Sequence, residues 1–204
     1  MISSDTYKLQ PRLLDGTRTL VVKPDYVEYE STSVVNHPFT RLNKHDIADF
    51  CHHYHQIWWY HLPVGKAYTI RFKSNDGKVL DIRFKNYFRR RPTYHAIYAE
   101  LIEKIWSYYF TDIVDGYLNR YSQGEPITIG KVRISNDGLA VVGTGLFFDW
   151  REFAIQEYVS YFSIYKVKQP EFHLWVRFDE WQSELLLSVV KSLKSDWEKL
   201  HNPG

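Results

Sequence analysis

Cys51-His52-His53-Tyr54-His55 is the segment whose residue types bear most directly on chemistry. On a strand, Cys51, His53 and His55 share one face at steps of two. A thiolate with two neutral imidazoles is a donor set for a transition metal. On a helix, His45, Asp49 and His53 align instead at i, i+4 and i+8 and offer a different set. The plain alternative is an aromatic-rich edge or barrel strand whose histidines pack and hydrogen-bond. We adopt that reading, so no metal and no cofactor are assigned. A metal-dependent enzyme built on Cys51–His55 stands as one alternative function.

The second group is basic. Arg71 and Lys73 fall on the same side as Arg83 and Lys85 if their strands pair in simple register, and Arg89-Arg90-Arg91 follows just before Pro92. Guanidinium groups grip phosphate bidentately and lysines add point charge. Tyr87 and Phe88 beside them are of the kind that enters a membrane surface or stacks on a base. The plain alternative is the solvated face of a sheet, with arginine tips paired to Asp76, Asp81 or helix acids. Carboxylates recur at i, i+3 in Asp46/Asp49, Glu100/Glu103 and Asp112/Asp115, a spacing typical of solvated helix acids. No Gly-rich phosphate loop, GxSxG, HExxH or CxxC occurs, and nothing places a base beside a nucleophile, so catalysis is not expected. A third group is aromatic. Trp58-Trp59-Tyr60 puts neighbouring rings on opposite strand faces, so at least one ring system faces away from its own core. Tyr158, Tyr161, Phe162 and Tyr165 pose the same problem. Burial between two units is one answer. A protein interface formed by Trp58, Trp59, Tyr60, Tyr158, Tyr161 and Phe162 is the other, since such rings are enriched there.

Composition sets the frame that must position these groups. The chain has 204 residues, 44% apolar and 25% charged, which suits one domain or two small ones with a buried core. The net charge of +2 is too small for a dedicated nucleic-acid wrapper, so no nucleic acid is expected. A single cysteine excludes an internal disulfide framework and a Cys-rich zinc site. No apolar run approaches the roughly 18 residues of a transmembrane helix. The start, Met1-Ile2-Ser3-Ser4-Asp5, lacks the pattern of a secretory signal, which points to a cytoplasmic protein. Residues 1–124 carry 17 basic and 13 acidic side chains and seven of the nine histidines, whereas residues 125–204 carry 9 and 11. That asymmetry, with Gly124 and Pro126 as punctuation, suggests units 1–123 and 124–204.

Strand signals open the first unit. Thr19–Lys23 and Tyr26–Glu30 flank Pro24-Asp25, a hairpin pattern. Residues 31–45 read as a loop, and 46–62 as one bent strand or two short ones. In Tyr68–Lys73 and Leu80–Lys85, apolar and charged residues alternate around Asn75-Asp76-Gly77, giving one buried and one wet face. A helix follows at about 93–121, apolar on two adjacent faces, which implies packing on its own sheet and on a second body. In the second unit Ile127–Ile134 and Leu139–Val142 flank Asn136-Asp137-Gly138. Glu152–Val167 reads as one long strand ended near Pro170. Phe172, Leu174, Val176 and Phe178 alternate with His173, Trp175 and Arg177. A helix over about 180–200 carries the stripe Leu186, Val190, Leu193 and Trp197.

The expected fold class is therefore α+β, mainly antiparallel, as two strand-rich units each closed by a C-terminal helix. This order resembles the pleckstrin-homology-like superfamily in two tandem copies, the second shorter by one or two strands. Phe147-Phe148-Asp149-Trp150 is similar to the segment before a middle strand in bacterial members, and the run ending Ile82-Arg83-Phe84 is similar to their late hairpin. The resemblance implies binding of phosphoinositides, peptides or proteins rather than catalysis. In that family the inositol-phosphate site usually lies in the first hairpin loop. Here that loop is read as Lys23-Pro24-Asp25, which lacks a basic cluster. The expected function is thus a non-catalytic binding or scaffolding module of the bacterial cytoplasm, acting through contacts with itself or another protein. Binding of an anionic phosphate or lipid headgroup through Arg71, Lys73, Arg83, Lys85 and Arg89–Arg91 is the alternative.

Overall fold

The structure, a computed structural model, describes residues 5–12, 14–30, 39–87 and 93–201. Two units emerge, Met1–Thr111 and Asp112–Gly204, so the division falls within a helical run rather than at 123/124. The fold class is α+β, and every strand pairing among the described residues is antiparallel.

In the first unit β1 (Thr6–Leu9), β2 (Arg18–Lys23), β3 (Tyr26–Glu30) and β4 (Phe39–Asn43) form one meander. A second is made by β5 (Ile47–Trp59), β6 (Leu62–Ser74) and β7 (Val79–Tyr87). The stretch read as a loop over 31–45 thus contains β4. Pro24 and Asp25 make the expected two-residue turn, with Lys23 opposite Tyr26. The β6–β7 turn uses Gly77 at φ +84, and the Asp76 carboxylate takes the Lys78 amide at 3.2 Å and its ammonium at 2.6 Å. Alternation then sets the register. Tyr68 faces Phe84, Ile70 faces Ile82 and Phe72 faces Leu80, all 0–5% exposed. Burying each such side chain contributes roughly 1.5–3 kcal/mol.

The helix expected over 93–121 consists of α1 (Tyr94–Ile105), a π-helical turn (Trp106–Phe110) and α2 (Thr111–Ser122). In the π turn the Thr111 hydroxyl donates to the Trp106 carbonyl at 3.0 Å, and the neighbours Tyr109 and Phe110 are both buried. Phe110 meets Phe50 edge-on with ring centroids 4.6 Å apart. The helix is tied to β1 through polar groups. Tyr7 donates to Glu100 at 2.7 Å, the Gln10 amide donates to the Tyr94 hydroxyl at 3.0 Å, and the nearly buried Lys104 meets Asp5 at 3.3 Å. Burial pushes the Tyr7 hydroxyl up to about 12.

In the second unit β8 (Ile127–Ile129), β9 (Val132–Ser135), β10 (Gly138–Val141) and β11 (Phe147–Asp149) form one meander. β12 (Phe153–Glu157), β13 (Tyr161–Lys166) and β14 (Gln169–Arg177) form another, and α3 (Ser183–His201) follows. Seven strands stand where the sequence suggests fewer. Gly130, at φ +58, turns the chain inside Ile127–Ile134. Inside Glu152–Val167 the Tyr158 amide donates to the Tyr161 carbonyl at 2.8 Å and closes a tight turn through Val159 and Ser160. Pro170 lies within β14 near its start, a position on an edge strand where no ladder donor is lost. The core gathers Ile134, Leu139, Phe148, Phe162, Ile164, Val189 and Val190, all fully buried. Trp150 donates its indole N–H to the Ser135 carbonyl at 3.1 Å.

Candidate functional site

The basic hairpin face forms as the alternation implies, but it is not purely basic. Arg71 stands opposite Asp81, and Arg83 grips that same Asp81 through Nε and Nη2 at 3.0 and 2.5 Å. Lys73 stands opposite Asp49, which is 3% exposed. Arg89, Arg90 and Arg91 lie outside the described residues.

A cleft of about 940 Å³ opens where β7 meets the loop between β1 and β2. The Lys85 amide donates to the Gln10 carbonyl at 3.0 Å and holds that loop to β7. Arg12, Arg18, Arg83 and Lys85 supply cations to the cleft, and Asp15, Glu30 and Asp81 supply carboxylates. Two of the three acids are engaged: Asp81 by Arg83, and Glu30 by the Thr19 amide at 2.8 Å. The Thr19 amide and hydroxyl hold Glu30 below the usual carboxylate range, with Lys8 and Arg18 adding to the effect. Tyr29 lines the cleft, and burial raises its pKa against the opposing pull of Arg18. Such a set suits a small oxyanion held by guanidinium forks. Sequence reading missed Arg12 and Arg18, and it also misplaced the first hairpin loop. That loop runs between Leu9 and Arg18 rather than through Lys23-Pro24-Asp25.

The histidine segment is a strand, so the helical alignment of His45, Asp49 and His53 does not form. Cys51 is fully buried, while the His53 and His55 rings stack with centroids 6.2 Å apart. His52 points to the other face, where Nδ1 lies 2.7 Å from the Tyr98 hydroxyl. Among the described residues no group of three or more His, Cys, Asp or Glu converges as a metal site. The carboxylate pairs are also separated in role. Asp46 ends a 3-10 turn and Asp49 is on β5, whereas Glu100 accepts from Tyr7.

The aromatic candidates divide. Trp58, Trp59 and Tyr60 are 58%, 62% and 85% exposed at the β5–β6 turn. Phe162 is a correction: it is fully buried, 5.8 Å from Phe178, because it lies in the inward phase of β13. Tyr161, one residue earlier, points out. Its ring stacks on Tyr158 at 4.5 Å and meets Trp175 at 6.0 Å, and His173 stacks on Trp175 at 4.7 Å. Trp175, 65% exposed, is the residue that sequence reading passed over. Its signal was present, since it falls in the polar phase of an alternating strand. Among the described residues no helix is long and apolar enough to cross a membrane. Comparison with known proteins finds no matching family model and no match among curated proteins.

Proposed function

We propose that the chain is a non-catalytic binding module of the bacterial cytoplasm, composed of two pleckstrin-homology-like units and acting through protein contacts. The two-unit reading is supported by strand order. A four-strand meander, a three-strand meander and a helix follow one another in β1–β7 with α1, and again in β8–β14 with α3. The protein-contact reading rests on the outward face of β13 and β14. Tyr158, Tyr161, Trp175 and His173 there form a preordered run of rings that loses little side-chain entropy on binding. The test is affinity capture from lysate of the source organism, at low and moderate salt, with wild type, Trp175→Ala and Tyr161→Ala. A stoichiometric partner that survives moderate salt and is lost from both variants is the expected result. Retention by both variants, or no stoichiometric protein, counts against it.

A second reading rests on the cleft, which gathers Arg12, Arg18, Arg83 and Lys85 beside Asp15, Glu30 and Asp81. Binding of a small phosphate or carboxylate there weakens with salt and with Arg18→Gln. Calorimetric titration with inorganic phosphate measures both, and the absence of heat at millimolar phosphate removes this reading.

A further inference from the structure

We propose that the β5–β6 hairpin tip is a membrane-docking element that enters the headgroup zone of an anionic lipid bilayer. β5 and β6 each run for 13 residues, and among the described residues β7 reaches Tyr87, opposite Gly65. The tip therefore extends about three residues beyond the described part of the third strand, roughly 10 Å at strand rise. That length matches the depth at which interfacial elements sit in a bilayer, roughly 5–10 Å. Trp58 stands opposite Pro63 and Trp59 opposite Leu62, with Tyr60 at the turn. Both tryptophans are more than half exposed although they point to opposite faces, and Leu62 is 65% exposed. A protein groove covers one face of a hairpin, whereas a bilayer surrounds the tip on every side. Trp and Tyr are the residues that partition to that interface.

Charge points the same way. From residue 50 to residue 70 there is no Asp or Glu, while Lys66 and four histidines are present, and Lys85 stands opposite Ala67. The end of the hairpin nearest the tip thus meets an anionic surface without a carboxylate of its own. The turn itself adds a third observation. Tyr60 adopts φ +53, a left-handed conformation that favours glycine or asparagine over an aromatic residue.

The proposal is independent of the protein-contact reading, which concerns β13 and β14. The experiment is co-sedimentation with phosphatidylcholine vesicles and with vesicles that are roughly one-third phosphatidylserine, following the tryptophan emission. The full chain is expected to sediment with the anionic vesicles, less so at high salt, and to shift its emission to the blue. Trp58→Ser with Trp59→Ser is expected to weaken partition by about tenfold or more and to remove the shift. Tyr60→Gly is expected to weaken partition while leaving the thermal midpoint unchanged or higher, an outcome that a purely structural role does not produce. Equal sedimentation with both vesicle types, no sedimentation, or unaltered partition of the double variant overturns the proposal. So does a protein partner that is captured through Trp58 and Trp59 without lipid. Loss of the β13–β14 partner in Trp175→Ala leaves this result untouched, so the two readings fail separately.

Discussion

The sheets β5–β6–β7 and β12–β13–β14 have the same connectivity, yet their outward faces differ in chemistry. Inward, both present large apolar groups: Phe50, Phe72 and Ile82 in one, Phe162, Ile164 and Val176 in the other. Outward, the first shows Arg71, Lys73, Asp81, Arg83 and Lys85, and the second shows Tyr161, Tyr165, His173, Trp175 and Arg177. The inward phase of a strand is constrained by packing, and the outward phase is constrained only by its partner, so faces of one topology diverge. Length differs as well. β5 and β6 have 13 residues each, whereas β12 and β13 have five and six and end at a tight turn.

The sharpest way to break this comparison is within one strand. Phe162→Ala removes a fully buried ring, and it is expected to cost about 3–5 kcal/mol in denaturant unfolding. Tyr161→Ala, its neighbour on the outward phase, is expected to cost about 1 kcal/mol or less while removing partner capture. Equal losses from the two variants sink the inward–outward assignment.

Next in size is Gly65→Ala. An added Cβ there lies 2.1 Å from the Asn86 carbonyl oxygen, so β6 and β7 must separate. A loss of about 1–3 kcal/mol is expected, read as faster amide exchange in residues 79–87. Gly16→Ala meets nothing within 4 Å and serves as the control.

Alkaline pH separates the units less strongly. Burial raises Tyr7, Tyr29, Tyr68 and Tyr109 in the first unit, against Tyr121 in the second. Tyr7 holds its proton to about 12 in the folded chain, against an ordinary 10.0, so its contribution is complete below pH 10 and is lost as pH rises toward 12. Exchange mapped between pH 10 and 12 should open residues 6–29 before residues 127–150, and the reverse order contradicts the assignment. The smallest effect expected is at Arg83→Gln. Its pair with Asp81 is largely exposed and worth about 1 kcal/mol or less, so stability should barely change while any phosphate binding in the cleft weakens.

Legibility followed the length of a periodic run and the presence of turn residues. β6, β7 and β14 were readable because several consecutive residues alternate, and the Pro24-Asp25 and Asn75–Gly77 turns carry their own local chemistry. β1 has four residues, too few for a period to register. The turn at Val159 and Ser160 has no Gly, Pro or Asn, so β12 and β13 read as one strand, and the phase that separates Phe162 from Tyr161 was lost with it.

By itself the sequence determined the strand-rich class, the alternating phases of β7, β14 and the second half of β6, and the two helical regions, because each depends on neighbours in the chain. Tertiary structure alone decided the cleft, since Arg12 and Arg18 reach Arg83 and Lys85 only once the β1–β2 loop is held against β7 through Gln10 and Lys85. It also decided that the Tyr161 ring meets Trp175, a pairing between β13 and β14, since strand register is fixed by what the opposite face buries.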